Sequence, residues 1–171
     1  MYWQLSTNNA DFHNDLGVTL AQNYDTQGAV KEFCEAIRLA PNDAATHHNL
    51  GLAFSKLREY EGAIIQFKEA IRLNPKHADA HFGLGAILLL VKGDVEGAIA
   101  EFSETIRLNP DDDRCHYFLA CARAEKGDAA KAIASLRRAI ELNPASKQEA
   151  AKDDDFNFLR TNPEFQRLVG K

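Results

Sequence analysis

The side chains with the widest chemical repertoire in this chain are its histidines. Two stand together in THHNLG (residues 46–51), and four of the six, His13, His47, His81 and His116, follow one another at intervals of 34, 34 and 35 residues. Imidazole serves as a metal ligand and as an acid–base group near neutral pH, so convergence is the first question. Zinc needs each nitrogen about 2.0–2.1 Å from one ion, whereas packed helices lie roughly 8–10 Å apart. Four histidines at equivalent places on successive helices therefore cannot share one ion. His47 and His48 point about 100° apart on a helix, which makes one a seam residue and the other a groove residue. His77 and His81, with Asp79 nearby, are two uncertain ligands and do not make a metal site.

The other reactive types are equally dispersed. Asp111–Asp113 and Asp153–Asp155 fall where helices start or loops turn, so capping and solvation account for them. Cys34, Cys115 and Cys121 are odd in number, lack CxxC spacing and read as reduced thiols. No P-loop, GxSxG, HExxH or dinucleotide-binding glycine pattern occurs. The expectation is a protein without catalytic residues, metal or cofactor.

The even spacing of the histidines belongs to a larger repeat. Pro41, Pro75, Pro110 and Pro144 are 34, 35 and 34 residues apart. Each closes a matching segment: GAVKEFCEAIRLAP, GAIIQFKEAIRLNP, GAIAEFSETIRLNP and KAIASLRRAIELNP. DLGVTL, NLGLAF, GLGAIL and FLACAR precede them, each leucine standing three residues after one of the four histidines. Ala63, Phe67, Ala70 and Ile71 recur at three- and four-residue intervals, the stripe of an amphipathic helix. Proline ends that helix, and turns such as Gly93-Asp94 and Gly127-Asp128 separate it from the helix before. Gly51 sits inside the first helix of its unit, where glycine costs about 1 kcal/mol relative to alanine. Close approach of the paired helix is the compensation to look for.

On these residues the sequence resembles the tetratricopeptide repeat family, whose pattern places Leu-Gly-x2-Tyr in a first helix, Ala-x3-Phe in a second and a closing Pro. The first part maps onto Leu16, Gly17 and Leu20; Leu50, Gly51 and Phe54; Leu84, Gly85 and Leu88; and, loosely, Leu119, Ala120 and Arg123. The second maps onto Ala29, Phe33 and Ala36; Ala63, Phe67 and Ala70; Ala98, Phe102 and Thr105; and Ala132, Leu136 and Ala139. The resemblance implies an all-α, right-handed superhelical solenoid of antiparallel helix pairs. Four units are expected within 1–144, at about 10–43, 44–77, 78–112 and 113–144, after a short N-terminal lead. Residues 145–171 would form capping helices, with Asn162-Pro163 starting the last and Phe156, Leu159, Phe165 and Leu168 covering the fourth unit. A tail folded back into the groove is the alternative. The third unit has one extra residue between Gly85 and Ala98, predicting a longer helix or turn. Ala120 and Arg123 predict a looser fourth pair.

In such arrays the first helices line a concave groove that grips a segment of another protein. The stripe expected to face it comprises Asn14, Asp15, Val18 and Gln22; His48, Asn49, Leu52 and Lys56; Phe82, Gly83, Ala86 and Leu90; and Tyr117, Phe118, Cys121 and Glu125. Its N-terminal half reads as polar and its C-terminal half as apolar. Four units at roughly 8–10 Å each would seat about ten extended residues, and Asn49 is placed to hold a partner's backbone. The partner expected is a protein or peptide with hydrophobic anchors, or a second copy of the chain as a self-associating scaffold. Family members that clamp the C-terminal carboxylate of Hsp70 or Hsp90 use two lysines, two asparagines and an arginine. Only Asn49 matches, the other slots holding Asn14, Val18, Asp79 and Gly83, so no such clamp is expected.

The bulk numbers agree. The 171 residues are 45% hydrophobic and 26% charged, a composition compatible with one packed domain. A net charge of -5 disfavours phosphate-backbone binding, so no nucleic acid is expected. The longest apolar run, AILLLV at 86–91, is far short of a membrane span. MYWQLSTNNADFHND lacks the basic and apolar blocks of a secretory signal, and a cytoplasmic location fits.

Overall fold

A computed structural model describes residues 2–170, with side chains from residue 9 onward. Its elements are α1 (Tyr2–Gln22), α2 (Thr26–Leu39), α3 (Ala44–Lys56), α4 (Tyr60–Leu73), α5 (Ala78–Ile87), α6 (Val95–Leu108), α7 (Asp113–Glu125), α8 (Ala129–Leu142), α9 (Ser146–Ala150) and α10 (Pro163–Val169). A π-helical turn, Leu88–Lys92, extends α5, and a 3₁₀ segment, Asp154–Leu159, lies between α9 and α10. No strand occurs among the described residues. The fold is all-α, built of paired helices, and it divides into two compact units, Met1–Leu84 and Gly85–Lys171.

Within the first unit, α1 packs on α2 and α3 on α4. The glycines explain how closely. A Cβ on Gly17 would lie 2.6 Å from the Phe33 ring, and one on Gly51 would lie 2.8 Å from Phe67. A Cβ on Gly83 would meet the same Phe67 ring at 2.7 Å. Each phenylalanine thus lies close against bare backbone, and the dispersion attraction between ring and backbone offsets the helix propensity that glycine forfeits. Gly83, read from sequence as a groove residue, is instead part of this helix-on-ring packing.

In the second unit the rule repeats once and is then exchanged. Gly85 faces Phe102, with a Cβ reaching to 2.9 Å of the ring. In the fourth pair Ala120 replaces the glycine and Leu136 the phenylalanine, and both are fully buried. The methyl added on α7 matches the volume removed from α8. The pair is not loosened as its sequence predicts, because the two substitutions compensate.

The extra residue of the third pair is absorbed in the π-helical turn, the usual way a helix takes up a one-residue insertion. Gly93, at φ 65°, ends it in the left-handed conformation, and Asp94 starts α6 by accepting from the Gly97 amide at 2.9 Å.

The in-phase histidines act as struts. Nε2 of His47, His81 and His116 donates to the carbonyl of the proline six residues earlier, Pro41, Pro75 and Pro110, at 3.0, 3.2 and 2.9 Å. An acceptor carbonyl requires a proton on Nε2. Each strut ties a first helix to the turn that delivers it. Nδ1 of His13 and His47 lies 2.6 and 2.7 Å from Glu32 and Gln66 on the paired helix.

After Pro144 the tail closes over the fourth pair. Phe156, Leu159 and Phe165 are almost wholly buried. Asn162 caps α10 by accepting from the Glu164 and Phe165 amides, with Pro163 in the first turn. Val169 is buried where the sequence suggested Leu168, which stays half-exposed. The short helix brings Val169, one turn beyond Phe165, onto the inner side.

Candidate functional site

An apolar cleft of about 420 Å³ lies between α1 and α3 in the first unit. Val18 and Ala21 of α1 and Leu52 and Ala53 of α3 form its walls, and Phe33 of α2 its floor. Gln22, Asn49, Ser55 and Lys56 supply the polar rim. Val18 and Gln22 share a face of α1, four residues apart, as do Leu52 and Lys56 on α3. Leu52 is 43% exposed, a large aliphatic side chain left in solvent at the mouth.

The cleft exists because of what stands over each phenylalanine. Over Phe67 the backbone of Gly83 closes the gap. Over Phe102 the Phe118 ring fills it, centroid to centroid 6.0 Å. Over Phe33 the corresponding residue is Asn49, whose Nδ2 turns aside to donate to Asn14 Oδ1 at 2.9 Å. Asn14 Oδ1 also accepts from Thr46 Oγ1 at 3.3 Å. One of the two Asn49 amide hydrogens, read from sequence as placed to hold a partner's backbone, is therefore engaged within the chain.

The structure gathers Val18, Gln22, Asn49, Leu52 and Lys56 of the expected groove stripe around one cleft and adds Ala21, Phe33, Ala53 and Ser55. The recess is apolar although most of the stripe residues in the first two pairs are polar. Residues outside the stripe, Ala21, Phe33 and Ala53, complete the apolar wall. His48 lies half-buried, its ring 5.8 Å from Phe67 and 4.8 Å from His77. Burial holds its pKa below the usual imidazole value, and His77 adds to the effect. Phe82 and Ala86 are half-buried, while Asp15, Leu90 and Glu125 are exposed, Leu90 on the π-helical turn.

Two stripe residues are not available to a partner. Tyr117 and Cys121 are buried beneath the 3₁₀ segment of the tail. The Tyr117 hydroxyl donates to Asp153 Oδ2 at 2.7 Å, and its ring meets Phe156 edge-on at 5.8 Å. The aromatic pair and the part-buried hydrogen bond reward covering this face of α7.

Beside them, Cys121 and the Asp153 and Asp155 carboxylates form a group with ligand atoms within 4.8 Å of one another, the one such group among the described residues. Sequence spacing could not reveal it, since it joins α7 to a segment more than 30 residues later. Asp153 is committed on both oxygens, to Tyr117 and to the Asp155 amide. Burial, then the nearby carboxylates, push the Cys121 thiol up, beside the capping Asp153 and the Asp155 carboxylate.

Comparison with known proteins agrees with this architecture. The tetratricopeptide repeat family model matches residues 48–113 and 86–147. Similar solved structures include a crystal structure of MamA, 26% identical, covering 85% of this chain and 82% of that one with a TM-score of 0.74. MamA residues 41 to the end from Desulfovibrio magneticus RS-1 is 22% identical, with coverage of 94% and 93% and a TM-score of 0.77. YrrB, described as a TPR protein with an unusual peptide-binding site, is 15% identical, with coverage of 91% and 80% and a TM-score of 0.76. No curated protein matches the chain. Among the described residues, no helix is long and apolar enough to cross a membrane.

Proposed function

The chain belongs to the tetratricopeptide repeat family, and from that premise we propose that it is a non-enzymatic interaction module. It holds a segment of a partner protein in the α1–α3 cleft. The observation that carries this reading is the apolar recess of about 420 Å³ with half-exposed Leu52 at its mouth. A recess of this size takes one or two aliphatic or aromatic side chains, and such anchors in desolvated pockets supply most of the energy of a peptide complex. Lys56 and the Asn49 side-chain amide at the rim can meet backbone polar groups of the bound segment. The four helix pairs act as repeat units, residues 145–171 as their cap, and the three free cysteines support a reducing, cytoplasmic setting.

The test is a pull-down from native extract with prey identified by mass spectrometry, comparing wild type, Leu52→Glu and Ile65→Glu. Ile65 is 62% exposed on α4 and does not line the cleft. Prey lost with Leu52→Glu and kept with Ile65→Glu, at equal helical circular dichroism, is the expected result. Equal capture by all three overturns it.

A further inference from the structure

The fourth pair treats its in-phase histidine differently from the first two. In the first pair Nδ1 of His13 has the Glu32 carboxylate at 2.6 Å, and in the second pair Nδ1 of His47 has the Gln66 side-chain oxygen at 2.7 Å. Both partners stand just before the buried phenylalanine of the second helix. In the fourth pair that position is Ser135, before Leu136, and its side chain is too short to reach the imidazole. Ser135 Oγ instead accepts from Arg123 Nη1 at 2.6 Å. Beside His116 lies a shallow, open cavity of about 260 Å³. His116, Arg123, Ser135 and Arg138 line its polar side, and Ile106 and Leu119 its apolar side.

The charges in this cavity are unbalanced at one point. Arg138 is paired with Asp111 at 2.8 Å and Glu141 at 3.2 Å. Arg123, where the first two pairs carry Leu20 and Phe54, donates only to Ser135 Oγ and, at 3.4 Å, to the Lys131 carbonyl. It is half-buried, and no carboxylate lies within ion-pair distance of it among the described residues. Burial pushes its pKa down, with Asp128 opposing from farther away. A partly desolvated guanidinium without a counter-ion is costly. His116 Nε2 is held by Pro110, so Nδ1 is the nitrogen that lacks the oxygen its counterparts have.

We propose that this cavity binds a carboxylate group, which accepts from the Arg123 guanidinium and from the Nδ1–H of a doubly protonated His116. It takes the place that the Glu32 carboxylate occupies beside His13. The planar guanidinium offers parallel N–H donors suited to a carboxylate, and Ile106 and Leu119 accept the carbon stem. The carboxylate has two possible sources, a small free acid or the acidic side chain of a bound peptide, which share this chemistry.

The experiment follows the His116 ring nitrogens and the Arg123 Nε–H by nitrogen–proton NMR at constant ionic strength and pH. The probes are sodium acetate, the peptide acetyl-Gly-Glu-Gly-amide and its Gln counterpart. Saturable shifts with the Glu peptide and not the Gln peptide are expected. Equal response to acetate identifies the carboxylate alone as sufficient, whereas response to the peptide only identifies an acidic side chain as the source. Ser135→Glu, which supplies the carboxylate from within, abolishes the shifts while keeping the helical spectrum. Arg123→Gln weakens binding about tenfold, the loss of one charge-assisted hydrogen bond. Shifts that fail to saturate, that the Gln peptide reproduces, or that survive Ser135→Glu overturn the site.

Discussion

At the scale of single residues, the exchange between the third and fourth pairs defines a measurable coupling. Gly85 faces Phe102, while Ala120 and Leu136 occupy the same two places one unit later. Gly85→Ala drives a methyl to 2.9 Å from the ring. Overpacking of this kind costs about 1–3 kcal/mol, offset by up to about 1 kcal/mol of helix propensity. Gly85→Ala with Phe102→Leu reproduces the fourth pair, so urea denaturation should show the double variant more stable than the sum of its single variants by at least about 0.5 kcal/mol. His48 gives a second test. Burial lowers its folded-state pKa from 6.5, so the unfolded chain binds more protons in the interval below that value. Stability is full above pH 6.5 and falls as pH drops through the folded-state pKa. His48→Gln should flatten the stability profile between pH 7 and 5, and an unchanged slope would refute the assignment.

At the scale of the helix, one start is less well made than its equivalents. Asp25, Asp94 and Asp128 begin α2, α6 and α8 with side chains that accept from Gly28, Gly97 and Lys131 amides. Glu59 begins α4 with no such bond. Its extra methylene carries the carboxylate past the amide that an aspartate reaches. Glu59→Asp should therefore stabilise the protein by about 0.5–1 kcal/mol, read as a raised denaturation midpoint with unchanged urea dependence. The helices themselves were legible, because apolar spacing and prolines act locally. The surplus residue between Gly85 and Ala98 was legible as a surplus, but its form was not. A longer turn and a π-helical turn use the same residues, and Gly93 followed by Asp94 suits the end of either.

At the scale of the molecule, burial by the tail governs which groups the chain presents. Cys34 is exposed, while Cys115 and Cys121 are buried, and burial raises both buried thiols, Cys115 to about 12. One thiol should react promptly with a disulfide reagent. Phe156→Ala removes a ring from the tail contact, a loss of about 3–5 kcal/mol for a buried phenylalanine. It should raise the labelling rate of Cys121 and leave Cys115 slow, as peptide mass mapping would read. The same burial explains why the candidate site was only half legible. Val18, Asn49, Leu52 and Lys56 follow from helical register, but Tyr117 and Cys121 share that register and differ only in lying under a segment beyond the repeat. Phe33 belongs to the second-helix pattern and Ala21 and Ala53 lie outside the expected stripe, and only the sideways turn of Asn49 opens them to a partner.

The proline-to-histidine struts also have a mechanical meaning. Three of the four closing prolines hold the helix that follows through an imidazole, but six residues after Pro144 stands Ala150, which has nothing to offer a carbonyl. A chain drawn out by its ends therefore has an uneven row of fastenings, the last being a backbone bond from the Lys147 amide to the Pro144 carbonyl at 3.3 Å in place of an imidazole. In an optical trap the first event under load should be a short lengthening as residues 145–170 peel away. Placing a histidine at Ala150 would lack room for its ring, since that methyl is fully enclosed. That last fastening is built into the way the tail fits.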